Sequence, residues 1–327
     1  MAYSAGDTIL DDEYNTFVTG GADGTATHGT ANVNTVWGTG DSTKGYGQTG
    51  DIAAVSAGAT VTATQWNNFL GRIETLGAHQ GTSVTDYSAL TTDDTVAALG
   101  TVSTDVTNVY NNRYNAAAVG AAISTTSVGT NTWTTTQNTT LTLTFASEAQ
   151  LNNWFNAGGT VRFSCSRSGG TSNDKNTEWT DMMNDLGTIW ISASDSHTVN
   201  SQALSGTTKV GGTGSGGGGT SISNNDFYDL TGSLTQMMIF YADTAPYTAN
   251  YIKLEASKSG AVLTIKATFQ DDAADTGNPT YPLSGTNPQS LDKVDGTLTV
   301  SMDAYQPSTS NLTATWGTPT WATTDSL

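Results

Sequence analysis

Residues able to do covalent, metal or acid–base chemistry are few in this chain, and their spacing does not gather them. His28, His79 and His197 are widely separated, and Cys165 is the one cysteine. A single cysteine gives no intrachain disulfide and no multi-cysteine metal site. Cys165 alternates with Ser164 and Ser166 and reads as a core residue of a strand. Asp195, Ser196 and His197 are sequence neighbours, and neighbours on a strand or loop do not converge into a triad. The glycine-rich run from Lys209 to Thr220 lacks the terminal Gly-Lys-Ser/Thr of a phosphate loop. Thr213 also stands where a nucleophile elbow around Ser215 needs glycine. This run reads as a loop draped over the surface.

Asp271-Asp-Ala-Ala-Asp275-Thr-Gly-Asn278 offers oxygen ligands for a hard cation but lacks EF-hand spacing and the closing Glu. The expectation is an acidic loop with Asp271, Asp272 and Asp275 exposed and not convergent. No catalytic, cofactor-binding or metal residue is assigned. The chain is expected not to be an enzyme and to need no cofactor.

Composition narrows the partners. Against 29 acidic residues stand 11 basic ones, a formal charge of −18, so a polyphosphate backbone is repelled and no nucleic-acid partner is expected. No apolar run reaches the length of a membrane span, and the N-terminus MAYSAGDTILDDEY has no basic stretch or apolar run of a signal peptide. No membrane partner is expected. Disorder is set aside because charge is sparse, at 12%, while 8 Trp, 12 Tyr and 8 Phe supply bulk for a core.

The elements that must position these residues begin with a repeat. Ser4-Ala-Gly-Asp-Thr-Ile-Leu-Asp-Asp-Glu-Tyr-Asn-Thr-Phe-Val18 aligns without gaps on Ser56-Ala-Gly-Ala-Thr-Val-Thr-Ala-Thr-Gln-Trp-Asn-Asn-Phe-Leu70. Each copy reads as a turn, a hydrophobic anchor (Ile9, Val61) and an amphipathic helix. Thr62 and Gln65 have capping-box spacing, and Trp66, Phe69, Leu70, Ile73 and Leu76 share one helical face up to a stop at Gly77. Asp11 and Asp12 suit the first turn of the other helix. A Gly/Thr-rich loop separates the copies and is expected to lie against a partner surface. A third helix starting near Thr92-Asp93-Asp94 presents Val96, Leu99, Val102, Val106, Val109 and Tyr110.

From Ser127 on, alternation marks strands at 141–145, 161–165, 189–191, 235–241, 250–258, 261–269 and 297–304, with a hairpin turn at Lys258-Ser-Gly260. Ser147-Glu-Ala-Gln150 caps a short helix carrying Leu151, Trp154 and Phe155. Trp179, Met182, Met183 and Leu186 share a face of another, stopped by Gly187. The expected fold is α+β. A small helical N-terminal region with an internal repeat (1–125, for docking and assembly) precedes a mainly antiparallel β-sandwich-like domain with short helices (127–327).

Two stretches carry a resemblance. Tyr46-Gly-Gln-Thr with Val55-Ser-Ala-Gly-Ala-Thr-Val-Thr-Ala-Thr-Gln-Trp-Asn-Asn-Phe-Leu-Gly-Arg-Ile73 resembles the N-terminal part of virion structural, tail-fibre-like proteins of marine tailed phages, cyanophages especially. Leu143-Thr-Phe-Ala-Ser and Trp154-Phe-Asn-Ala-Gly-Gly-Thr-Val-Arg-Phe-Ser-Cys-Ser-Arg-Ser-Gly-Gly170, followed by Asn176-Thr-Glu-Trp-Thr180, resemble a β module of the same group. The resemblance implies a virion component with no catalytic residues to carry over.

The resulting expectation is a phage virion structural protein, made in the host cytoplasm and located in the virion, with other virion structural proteins as partners. A tail position (fibre, or baseplate or collar attachment) is expected first and a head-decoration or head-fibre role second. The rival from another class is a carbohydrate-binding protein or depolymerase, with Trp133, Trp316 and Trp321 as sugar-stacking candidates. The N-terminal region has little sequence nearby to cover its apolar faces. Tyr14, Phe17, Trp66, Phe69, Ile73, Val102, Val106 and Val109 are therefore expected at an assembly interface, in a homo-oligomer such as a trimer.

Overall fold

The computed structural model describes residues 11–38, 44–91, 99–133, 135–272, 293–325 and 327. Four helices open the chain: α1 (Asp11–Thr19), α2 (Val33–Trp37), α3 (Ala63–Gln80) and α4 (Leu99–Asn111). The acids expected at the start of α1 are there. The α3 capping box is complete, because the Thr62 hydroxyl accepts from Gln65 N while Gln65 Oε1 accepts from Thr62 N. Gly77 does not stop α3. The helix runs one turn further and ends at Gly81 in the left-handed conformation, φ 70°. Gly77 is small for another reason: a Cβ there would lie 2.9 Å from Thr82 O and Val84 Cγ2, where the next segment folds back across the helix. The loop between the repeat copies contains α2, and the expected start of the third helix at 92–94 lies outside the described residues.

The rest is a sandwich of antiparallel sheets. One sheet has β1 (Val119–Gly129), β12 (Thr297–Pro307), β3 (Thr160–Ser168), β4 (Thr188–Ile191) and β7 (Thr207–Val210), in that order. The other runs β13 (Thr320–Asp325), β2 (Thr136–Thr144), β11 (Val262–Gln270), β10 (Tyr251–Ser259), β9 (Thr235–Tyr241) and β8 (Ser221–Ile222). A small hairpin, β5 (His197–Val199) with β6 (Gln202–Leu204), packs Val199 and Leu204 on Trp190. Two helices, α5 (Glu148–Asn156) and α6 (Asp174–Leu186), start at Ser147 and Asn173, whose side chains accept from Gln150 N and Asn176 N. The expected hairpin is β10–β11, turning at Gly260 with Ser259 paired to Val262.

Alternation divides each sheet into a buried and an outer face. Along β12, Leu298, Val300, Met302 and Ala304 are buried while Thr299, Ser301, Asp303 and Tyr305 point outward. The C-terminal strand ties the two sheets together at one edge. Trp321 Nε1 donates to Ile123 O at 2.9 Å, and the Asp325 carboxylate accepts from Ser127 of β1 and Thr139 of β2. The boundary expected at 125–127 falls inside β1, and one continuous hydrophobic core spans both sides of it, from Tyr14 to Trp316.

Candidate functional site

The expected interface residues are the core of the N-terminal half. Tyr14, Trp66, Phe69, Ile73, Val102, Val106 and Val109 are all buried within the single chain, and Phe17 is partly buried against them. Equivalent positions of the two repeat copies meet each other. The Tyr14 and Trp66 rings are 6.1 Å apart, and Phe17 stacks on Phe69 at 5.9 Å with planes 3° apart. These residues offer no accessible docking surface, and this corrects the expectation. Covering apolar surface comes from α1–α4 and from the sandwich, so another subunit is not required to supply it.

A recurrent device holds this layer, and the repeat alignment did not expose all of it. Asn15 Nδ2 donates to Val55 O and Asn15 Oδ1 accepts from Val55 N, both at 2.9 Å. Asn67, its equivalent in the second copy, does the same with Leu90 O and N, both at 2.8 Å. Asn34 grips Ile52 in the same way, at 2.8 and 3.0 Å. Each asparagine offers one donor and one acceptor to the two main-chain groups of one extended residue, as a neighbouring strand would. The signal was a short string present three times: Tyr-Asn-Thr-Phe-Val at 14–18, Val-Asn-Thr-Val-Trp at 33–37 and Trp-Asn-Asn-Phe-Leu at 66–70. Gln48 repeats the grip over a long sequence distance, with Nε2 donating to Thr313 O and Oε1 accepting from Thr313 N, both at 2.8 Å. That bond pair joins the helical layer to the sandwich. His79 Nε2, 3.1 Å from Ala157 O, and Asn156 Nδ2, donating to Gly45 O at 2.9 Å, join them again.

Among the described residues no histidine or cysteine joins a cluster of three metal-ligating side chains. His79 and His197 are buried, and burial holds both imidazoles down at about 4. His197 faces the backbone of Ser194 and the Asp195 carboxylate rather than a hydroxyl nucleophile. Burial pushes the Cys165 thiol far up, which keeps it protonated and unreactive. The glycine-rich run is pinned to the surface: Gly217 N donates to Tyr241 O at 2.8 Å, and Thr213 Oγ1 donates to Asp185.

Asp271 corrects the acidic-loop expectation. It is fully buried and its Oδ2 lies 2.8 Å from Lys175 Nζ. Asp272 is exposed as expected, accepting from Gln270 Nε2, and Asp275 lies outside the described residues. Glu178, Asp181 and Asp243 bring one carboxylate oxygen each within 4.8 Å of one another. Asp181 and Asp243 face solvent, while Glu178 is buried and accepts from Thr244 N at 3.2 Å. Burial raises the Glu178 carboxyl, which lessens the repulsion in this cluster.

Two of the three candidate sugar-stacking rings are unavailable. Trp133 and Trp316 are buried, and half-buried Trp321 spends its indole N–H on the sheet edge. No family model, curated protein or solved structure matches this chain.

Proposed function

We propose that this chain is a non-catalytic structural protein of a phage virion, tail-associated as a fibre or a baseplate or collar attachment, that assembles with other virion subunits through the outer faces of its sheets. The observation that carries the reading is the composition of those faces. Across one sheet, Thr126, Ser301 and Ser164 stand in register, and next to them Val128, Thr299 and Ser166. Across the other, Ala322, Thr142, Thr264 and Ser257 form one row and Thr324, Thr140, Lys266 and Glu255 another. Apart from Val128, Ala322, Lys266 and Glu255, these rows supply short, uncharged hydroxyl groups with little rotamer entropy to lose on contact. Among the described residues only Val128 and Leu234 are large exposed hydrophobics, at 59% and 44%, so the contact chemistry is polar. The resemblance of residues 46–73 and 143–180 to virion proteins of marine tailed phages supports the same reading, as does the burial of Trp133 and Trp316, which withdraws them as sugar platforms.

Self-association now rests on the sheet faces, because the N-terminal apolar residues are already covered. Immunogold labelling of intact particles tests the position. Label along or at the base of the tail is the expected result, and label on the head surface moves the assignment to head decoration.

A further inference from the structure

We propose that Lys175 and Asp271 condense in the folded chain to an intramolecular isopeptide bond. The Nζ and Oδ2 atoms are 2.8 Å apart, and the two side chains are 1% and 0% exposed. The residues are 96 positions apart in sequence and sit on different elements, Lys175 in the first turn of α6 and Asp271 just after β11.

Aromatic residues lie close to both partners along the chain. Trp179 lies one helical turn along α6, Phe269 two residues back on β11, with ring centres 6.4 Å apart, and Trp133 packs on Trp179 at 5.5 Å. Both partners are held by bonds that do not involve their side chains. Asp271 N donates to Thr135 O at 2.6 Å, Asp272 N to Asn250 Oδ1 at 2.9 Å, and Asn173 caps α6 through Asn176 N at 2.7 Å. Two reacting groups fixed in contact by independent packing gain the effective concentration that an encounter in solution lacks.

The site also favours the reaction over the ion pair. Two charges taken out of water cost several kilocalories each unless well compensated, whereas an amide carries none. Excluded water removes the solvent that would hydrolyse the product. A proton passes from the ammonium to the carboxylate, giving an amine and a carboxylic acid. The amine lone pair attacks Asp271 Cγ and the N–C bond forms. The nitrogen gives up a second proton to the departing hydroxyl, the C–O bond breaks, and one water leaves. Nothing is oxidised or reduced and no co-reactant is required.

Intact-mass measurement of the denatured full chain reads the bond without any variant. The expected mass is lighter than the sequence by one water, and digestion yields one branched peptide joining the segments that contain Lys175 and Asp271. Succinimides at Asp23-Gly24 or Asp295-Gly296 lose the same mass, but they give no branched peptide and open in mild base. Lys175→Arg restores the full mass. Asp271→Asn still cross-links, with loss of ammonia instead of water. A wild-type chain of full mass, or one whose Lys175 ε-amine is labelled by an amine reagent after unfolding, overturns the proposal. Because the decisive reading is on the wild-type chain, an unfolded variant does not block it.

Discussion

At the residue scale, three asparagines do in the helical layer what strand pairing does in a sheet. Removing Asn15 leaves a buried N–H and a buried C=O of Val55 without those partners, and an unsatisfied buried group costs about 1–3 kcal/mol. Asn15→Ala is therefore expected to lower stability by about 2 kcal/mol or more, and Asn67→Ala to cost a similar amount at its partly exposed clamp, both read by denaturant unfolding. Asn15→Asp should not rescue the loss, because a carboxylate accepts from Val55 N but cannot donate to Val55 O.

Burial depresses both His79 and His197 to about 4. The unfolded chain, with ordinary imidazoles near 6.5, therefore binds more protons than the folded chain between about pH 6.5 and 4. Stability is complete above that window and falls as pH drops through it. Asp226, raised to about 6 by burial, acts in the opposite direction between its ordinary value and 6. Glu178, raised by burial as well, acts with Asp226, and the two imidazoles are expected to outweigh them, giving a net loss of stability between pH 7 and pH 4 that is read as a fall of the urea midpoint.

At the element scale, the helices with strong caps were the legible ones. Thr62 with Gln65 and Ser147 with Gln150 mark two helix starts by local chemistry, and the structure places caps there, whereas α6 was legible from its apolar face and its Asn173 cap was not. Thr62→Ala is expected to cost about 1 kcal/mol, seen in thermal unfolding, because Gln65 N loses the hydroxyl that accepts from it, while the backbone N of residue 62 can still donate to Gln65 Oε1. The long central strands were legible through alternation.

Strand β1 was not, because its sequence VGAAISTTSVG puts small or hydroxyl residues on both faces and buries only Ser127 and Gly129. Strand β13 hides for the same reason, and the three- and four-residue strands β4–β7 are near the shortest that pairing allows, with only Ile189-Trp-Ile191 apolar enough to stand out. The asparagine clamps had a signal in their three five-residue strings, but the copy at 33–37 lacks the upstream Ser-Ala-Gly turn that marks the other two. The Lys175–Asp271 contact had none, since nothing local links residues so far apart.

At the scale of the whole molecule, the helical layer and the sandwich behave as one body in their packing. A single core crosses the expected boundary, and Gln48, His79 and Asn156 fasten the two parts with partly or fully buried polar bonds. Calorimetry of the full chain is expected to show one cooperative transition, with calorimetric and van't Hoff enthalpies equal. Two separated transitions would mean the N-terminal layer folds by itself, as an independent docking module does. One body with hydroxyl-rich outer faces suits the proposed role of contact with neighbouring subunits.

The proposed virion role is tested most directly by quantitative mass spectrometry of gradient-purified phage particles from a culture that produces the chain. The account predicts a fixed number of copies per particle, co-sedimenting with the major structural proteins through repeated purification. A chain confined to the soluble fraction of the lysate, with none in the particles, would contradict it.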